Sequence, residues 1–144
     1  MAKSVKLQVL TPDRMFYSGD IEMVIVKTPS GEEGFMAHHA WSCKLLAPGE
    51  IWIQEVGAKN FKVAATAGGF IDIKDDFIVY ADAAEWPEEI DKTRAITHQE
   101  EVERWLVEHP HDEPDDIAAA RRSVVKQKAR VRVAAGGSSS RRTR

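Results

Sequence analysis

The chain has 144 residues, 43% hydrophobic and 30% charged, which fits a soluble globular protein. No apolar run approaches the roughly 18 residues of a membrane-spanning helix, residues 1–10 do not form the apolar block of a signal peptide, and the single cysteine, Cys43, excludes an internal disulfide. The formal net charge of −3 divides into −10 over residues 1–114 and +7 over residues 115–144, so an acidic body carries a basic C-terminal arm.

In the first part of the chain apolar residues recur at every second position, the period of a half-buried strand. Short apolar stretches return about every 8–12 residues with turn residues between them, which is typical of a β-sandwich or barrel. We predict strands over residues 5–9, 15–17, 21–26, 51–54, 61–65, 70–73 and 77–81. Residues 18–20 are predicted to form a turn and residues 28–34 a loop, whereas residues 35–44 have no clear period.

The period changes at Pro87, after which apolar residues recur every three or four positions. Proline suits the first turn of a helix, so Pro87 is predicted to open a helix that runs to about His109. A second helix is predicted over residues 115–133, with Pro114 opening it. The fold class is therefore an N-terminal antiparallel β-sandwich over residues 1–86 followed by an antiparallel two-helix hairpin over residues 87–134 and a flexible tail over residues 135–144.

The apolar stripe of the second helix is thin and rich in alanine, and Gln127 and Lys128 interrupt it. A hairpin of this kind buries too little surface to be stable alone, because short isolated helices are marginal in water. We expect it to lean on the sandwich or on a partner, and a weakly held element of this kind can also leave its docking place.

This layout resembles the epsilon subunit of the F-type rotary ATP synthase. The resemblance rests on short motifs that follow one another in the family's order and at close to its spacing, over roughly residues 4–133. They are Leu10-Thr11-Pro12-Asp13, Tyr17-Ser18-Gly19-Asp20-Ile21-Glu22, Gly31-Glu32-Glu33-Gly34-Phe35, His39-Ala40, Pro48-Gly49-Glu50-Ile51, Gly68-Gly69-Phe70, Tyr80-Ala81-Asp82-Ala83-Ala84-Glu85 and Ile90-Asp91-Lys92-Thr93-Arg94-Ala95. Each motif alone is weak, and the colinear set is specific.

The resemblance implies a noncatalytic rotor subunit of the central stalk, which takes part in ATP synthesis driven by ion transport. The sandwich would bind the gamma subunit and rest on the loops of the c-ring, and the hairpin would fold against the sandwich or extend along gamma and hinder ATP hydrolysis. By position, Glu32, Glu33, Gly34, His38 and His39 would lie near the c-ring loops. Thr11, Trp41 and Lys44 would lie near gamma.

One segment departs from the family pattern. Where the family carries apolar-Pro-x-His-Ala-Pro, this chain reads Met36-Ala37-His38-His39-Ala40-Trp41, so both prolines are absent and the loop is expected to be less rigid.

By the resemblance, an extended hairpin would reach the catalytic alpha/beta ring through Arg121, Arg122, Lys126 and Lys128. The chain would then be a peripheral membrane protein on the cytoplasmic face of the energy-coupling plasma (cell inner) membrane, without inserting into it.

The segment Ile90-Asp91-x-x-Arg94-Ala95 resembles the motif with which some epsilon subunits bind ATP as a regulatory ligand. A guanidinium suits phosphate, and Glu85, Arg121, Arg122 and Lys126 could complete such a site with Asp91 and Arg94. Against this, the family's ATP binders repeat an arginine where this chain has Glu101. The alternative is an Asp91–Arg94 pair that fixes the base of the hairpin. No cofactor is required under either interpretation.

Other functions find less support in the sequence. The basic face of the second helix could bind nucleic acid, but it has no interleaved aromatic residues and faces an acidic first helix, so a solvated or self-paired face is favoured. His38, His39 and Cys43 lack the ligand spacing of a zinc site, and no catalytic motif is present. The rival hypothesis is a freestanding β-sandwich regulator that binds nucleotide or nucleic acid through its basic arm.

Overall fold

The computed structural model describes residues 3–136, which form nine β-strands, one 3-10 turn and two α-helices. The strands are β1 Val5–Leu10, β2 Met15–Thr28, β3 Gly31–Met36, β4 Ser42–Leu46, β5 Gly49–Glu55, β6 Lys62–Thr66, β7 Gly69–Ile73, β8 Phe77–Ala81 and β9 Ala84–Glu85. The 3-10 turn is Pro87–Glu89, and the helices are α1 Lys92–Glu108 and α2 Pro114–Ala134. Most of the predicted flexible tail, residues 137–144, lies outside the described residues.

The strands form two layers that share β2. The first half of β2 pairs with β1, and its second half pairs with β3 on one side and with β5 on the other. The hydrogen-bonded order is β4-β7-β8-β1-β2-β5-β6-β9. The predicted β-sandwich is confirmed, with one departure: β1 and β8 run parallel, whereas the other pairs are antiparallel within residues 3–136.

Alternating residues from both layers fill the core between them. Leu7, Ile21, Ile53, Ile71 and Phe77 are almost completely buried there. Each lies at the apolar phase of its strand, and the period of two in the sequence therefore identified the inner face correctly.

The predicted turn at residues 18–20 is wrong, because β2 continues through it. Gly19 is needed for packing and not for turning: a Cβ atom built there would lie 2.7 Å from the Tyr17 hydroxyl oxygen. That hydroxyl donates a 2.8 Å hydrogen bond to Glu55 on β5. Burial and the neighbouring Glu55 carboxylate raise the pKa of Tyr17, so the phenol stays protonated as the donor.

The predicted loop at residues 28–34 is also wrong in most of its length. Pro29 and Ser30 form the turn, and Gly31 already begins strand β3, whose low strand propensity is overridden by a full ladder to β2. The Thr28 hydroxyl closes this hairpin with a 3.0 Å hydrogen bond to the Gly31 carbonyl.

Helix α1 begins at Lys92, five residues after the predicted start at Pro87. Pro87 opens only the 3-10 turn, which is held to the sandwich: the Glu89 carboxylate accepts a 2.9 Å hydrogen bond from the Trp86 backbone and a 2.7 Å one from Arg14. The backbone hydrogen bond and the Arg14 guanidinium lower the pKa of Glu89. Trp86 stacks on Phe16 with ring centroids 4.4 Å apart. The helical hairpin therefore starts after this turn, at Ile90 and Asp91.

Candidate interaction surfaces and hairpin dock

A row of exposed apolar side chains crosses the outer face of four strands. Leu45 lies opposite Phe70, Phe70 opposite Tyr80, and Tyr80 opposite Leu10, so the four share one face of the sheet. Leu45 is 70% exposed, Phe70 41% and Tyr80 38%. Phe70 and Tyr80 stack with ring centroids 4.7 Å apart. We call Leu45, Phe70, Tyr80 and Leu10 the apolar row; a contiguous exposed patch of this kind is typical of a protein-binding surface.

No sequence motif singles out this row. Its signal was present, because Phe70 and Tyr80 occupy the strand positions opposite in phase to the buried Ile71 and Val79. What the sequence could not supply was the register that brings Leu45, Phe70 and Tyr80 side by side from three separate strands.

Two cavities flank the apolar row. One, of about 400 Å³, is lined by residues that include Thr11, Phe70 and Tyr80. The Thr11 hydroxyl donates a 2.6 Å hydrogen bond to Asp13, which lowers the pKa of that carboxyl and rigidifies the turn after β1. Thr11, predicted to face gamma, therefore lies beside the row. The second cavity, of about 740 Å³, lies between the sandwich and α2.

Most of the other predicted interface residues gather at another cavity, next to the row on strand β4. Glu33, Gly34, His39, Trp41 and Lys44 line one cavity of about 290 Å³. The structure thus groups Trp41 and Lys44 with the residues predicted to face the c-ring, and not with Thr11. We call this cavity and its rim the loop-edge site.

The loop-edge site is open and polar. Trp41 is 68% exposed, and the Lys44 ammonium lies 3.9 Å from the Glu33 carboxylate. The other Glu33 carboxylate oxygen and the Ser42 hydroxyl oxygen are buried, and within residues 3–136 they have no hydrogen-bond partner.

The proline-free loop before β4 has two local contacts of its own. The ring of His39 packs edge-on against Phe35, with centroids 4.9 Å apart, and its Nδ1 lies 2.7 Å from the Ala40 carbonyl oxygen. His38 has a φ of 68°, which is uncommon for a residue with a side chain. His38 and Glu32 are both exposed.

The hairpin docks on the outer face of β5 and β6 through the C-terminal part of α2. Val133 is 1% exposed and packs into a cluster with Trp52, Phe61, Val63 and Ala65. Trp52, whose place the sequence left open, is thus a docking residue on the face opposite Ile51 and Ile53. In α1, by contrast, Ala95 is the one residue buried within the described helix, so α1 is held mainly through α2.

Two ion pairs fasten the same end of α2. Arg130 donates to both oxygens of Glu85, at 2.8 and 3.2 Å, and also to Gln127 at 2.7 Å. Arg132 donates to Glu50 at 2.5 and 3.1 Å. Glu50 is only 4% exposed, and Lys27 lies 3.3 Å from its other oxygen. The predicted self-pairing of basic α2 residues is therefore observed, but with the sandwich instead of with α1.

The residues predicted for an ATP site fall into separate places. Asp91 caps α1 by accepting a 3.0 Å hydrogen bond from the Arg94 backbone, so the predicted Asp91–Arg94 pair is a helix cap and not a side-chain ion pair. Glu85 is occupied by Arg130. Arg122 and Lys126 line the 740 Å³ cavity, whose lining includes neither Asp91 nor Arg94. Arg121 and Arg94 are exposed.

Comparison with known proteins decides the family. The family described as ATP synthase, Delta/Epsilon chain, beta-sandwich domain matches residues 4–87. The chain is 43% identical over 107 residues to the ATP synthase epsilon chain of Alkaliphilus metalliredigens, covering 74% of this chain and 78% of that one. It belongs to the ATP synthase epsilon chain family.

Other members of the ATP synthase epsilon chain family extend the match into the helices. The epsilon chain of Shouchella clausii is 34% identical over 124 residues, covering 85% of this chain and 92% of its own. A chain in the structure of the Euglena gracilis mitochondrial ATP synthase OSCP/F1/c-ring assembly has the same fold, with a TM-score of 0.74 and 19% identity over 88% of this chain and 78% of that chain. As an epsilon chain, this protein is a subunit of ATP synthase, and the freestanding regulator is the wrong alternative.

No helix within residues 3–136 of this epsilon chain is long and apolar enough to cross a membrane.

Proposed function

We propose that this epsilon chain is a noncatalytic rotor subunit that couples the gamma subunit to the c-ring, and that its hairpin regulates ATP hydrolysis. The observation that carries the proposal is the exposed apolar row on a chain of this family. Such a surface is costly to leave in water and is covered in a stable assembly.

The apolar row fits the role of gamma-binding face. It is built on the paired strands β4, β7, β8 and β1, so it is rigid and can transmit torque without being remodelled. Its stacked Phe70–Tyr80 pair provides the kind of aromatic anchor that dominates binding energy in protein interfaces.

The loop-edge site fits the role of contact with polar c-ring loops. The Glu33 side chain is 35% exposed, and Trp41 offers an exposed aromatic ring in the lining of the same cavity. These groups suit a basic or amide side chain on a partner loop. Because Leu45 and Lys44 are consecutive residues of a strand and point to opposite faces of it, the two surfaces allow one rigid sandwich to bind two stalk components at once, on the cytoplasmic face of the energy-coupling membrane.

Replacing Phe70 by Glu is expected to weaken gamma binding at least a hundredfold, because it places a charge at the centre of the apolar row. Phe70 is 41% exposed, so the substitution leaves the fold intact. Co-purification of tagged gamma with the full chain is the measurement. The matched control is Val56→Glu, at a position that is 49% exposed and outside the row, and it should bind like the unaltered chain. Equal binding by both variants would contradict the assignment of this face.

The regulatory role would use the hairpin in two positions. Docked, α2 is held by Val133 and by the pairs of Arg130 and Arg132; released, its basic residues would be free to meet acidic segments of the catalytic alpha/beta ring. The attachment occupies one end of α2, so the hairpin can be released without breaking the core of the sandwich.

ATP as a regulatory ligand of the hairpin remains a separate prediction. In the docked position Glu85 is already paired with Arg130, and Asp91 is used as a cap. We therefore expect ATP to bind weakly, if it binds at all. Calorimetric titration of the full chain measures this directly, with Arg94→Ala as the comparison; micromolar binding that Arg94→Ala abolishes would overturn the expectation.

A further inference from the structure

The 740 Å³ cavity between the sandwich and α2 is a composite cleft that exists only while the hairpin is docked. The sandwich contributes Leu45, Gly68, Phe70 and Asp82 to its lining, and α2 contributes residues at helical spacing on one face. The α2 residues are Ala119, Arg122, Ser123 and Lys126. The fixed wall is therefore mainly apolar, with Asp82 as its acidic residue, and the other wall is cationic and detachable.

The cleft is continuous with the apolar row. Leu45 and Phe70 belong to both, and Phe70, Gly69 and Asp82 also line the neighbouring 400 Å³ cavity beside Thr11. A partner that covers the row thus reaches α2 without a gap.

The charges on the cationic wall form no ion pair within the part of the chain that the structure describes. Within residues 3–136, Arg130 and Arg132 form ion pairs with the sandwich, whereas Arg122 and Lys126 form none. Asp82, on the opposite wall, is the one acidic residue among those that line the cleft. A ligand with an apolar group toward Phe70 and a carboxylate toward α2 complements both walls.

We propose that the docked hairpin forms part of the gamma interface: a gamma segment that presents an apolar side chain and a carboxylate binds in this cleft between Phe70 and the Arg122–Lys126 wall. This rests on the proposed function, because it assigns gamma to the apolar row. Binding in the cleft requires both walls, so gamma and the docked hairpin stabilise each other, and release of the hairpin removes part of the gamma contact.

The test is the affinity of the full chain for purified gamma, measured by calorimetry at two salt concentrations. The double variant Arg122→Glu with Lys126→Glu is expected to bind about tenfold more weakly, and its affinity should depend less on salt. The matched control is Arg121→Glu with Lys128→Glu, which makes the same charge change on the same helix at exposed positions outside the cleft. The control should bind as the unaltered chain does.

Hydrogen exchange supplies the second readout. Gamma should slow exchange of the α2 amides in the unaltered chain and in the control, but much less in the double variant. If the reversed charges themselves detach the hairpin, the neutral double variant Arg122→Gln with Lys126→Gln is used instead. Its affinity for gamma is expected to be about threefold weaker than that of the unaltered chain. If the cleft variants and the control variant bind gamma with equal affinity, the proposal that gamma binds in the cleft is overturned, and the rotor assignment stands. If the unaltered chain does not bind gamma, both proposals are overturned.

Discussion

Replacing Gly69 by Ala is expected to destabilise the sandwich by at least about 3 kcal/mol, through backbone strain and a direct clash. Gly69 has a φ of 135°, and a Cβ atom built there would lie 1.9 Å from the Tyr80 carbonyl oxygen and 3.0 Å from the Ala81 Cα. These are backbone atoms of the adjacent strand β8, so they can move only if the β7–β8 ladder opens. Chemical denaturation of the full chain measures the loss.

Gly57→Ala is the matched control for strain without a clash. Gly57 also has a positive φ, of 75°, but a Cβ atom added there would have no neighbouring atom within 4 Å. Its expected cost is only about 1 kcal/mol, the penalty of a left-handed conformation for an L-residue. Similar losses for the two variants would show that the close approach of Gly69 to β8 does not matter for stability.

Replacing Val133 by Asp is expected to detach the hairpin and leave the sandwich folded. Val133 is 1% exposed in the docking cluster, and burying a carboxylate there costs several kcal/mol. The chain avoids this cost by releasing α2 from β5 and β6. A loss of about 3 kcal/mol in docking corresponds to exchange of the α1 and α2 amides on the order of a hundredfold faster. Exchange in the strands of the inner core should not change.

The same substitution, Val133→Asp, is expected to change the rate of ATP hydrolysis by the assembled ATP synthase. With more of the hairpin released, ATP hydrolysis should be slower than in the control Val125→Asp, whose position on the same helix is 46% exposed. Deleting residues 115–144 should have the opposite effect and raise hydrolysis. If neither change alters the rate of hydrolysis, the hairpin has no inhibitory role.

The strand pattern could be derived from the sequence wherever the sheet has one buried and one exposed face. The pattern does not predict that Gly19 and Gly31 lie in strands, because glycine is typical of turns and loops. At Gly19 the small residue makes room for Tyr17, and at Gly31 the strand is imposed by pairing with β2. Both are tertiary effects, which local propensity does not contain.

The segment that connects the sandwich to the helical hairpin is likewise shaped by tertiary contacts that local sequence signals do not contain. Proline at the start of a helix and acidic residues after it are sound local signals, yet Pro87 opens a 3-10 turn and the cap of α1 is Asp91. The turn is fixed by Arg14 and Phe16, which lie about seventy positions earlier in the chain. Likewise, the pairing of Arg130 with Glu85 and of Arg132 with Glu50 depends on how α2 crosses the sheet, which spacing along the helix does not reveal.

We infer that a rigid sandwich carries a hairpin that opens as a separate unit. Native-state hydrogen exchange of the full chain at increasing denaturant tests it most directly. We predict that the amides of α1 and α2 exchange through an opening of lower free energy, at denaturant concentrations where the amides of β1, β5, β7 and β8 stay protected. A single opening free energy shared by helices and strands would contradict the claim.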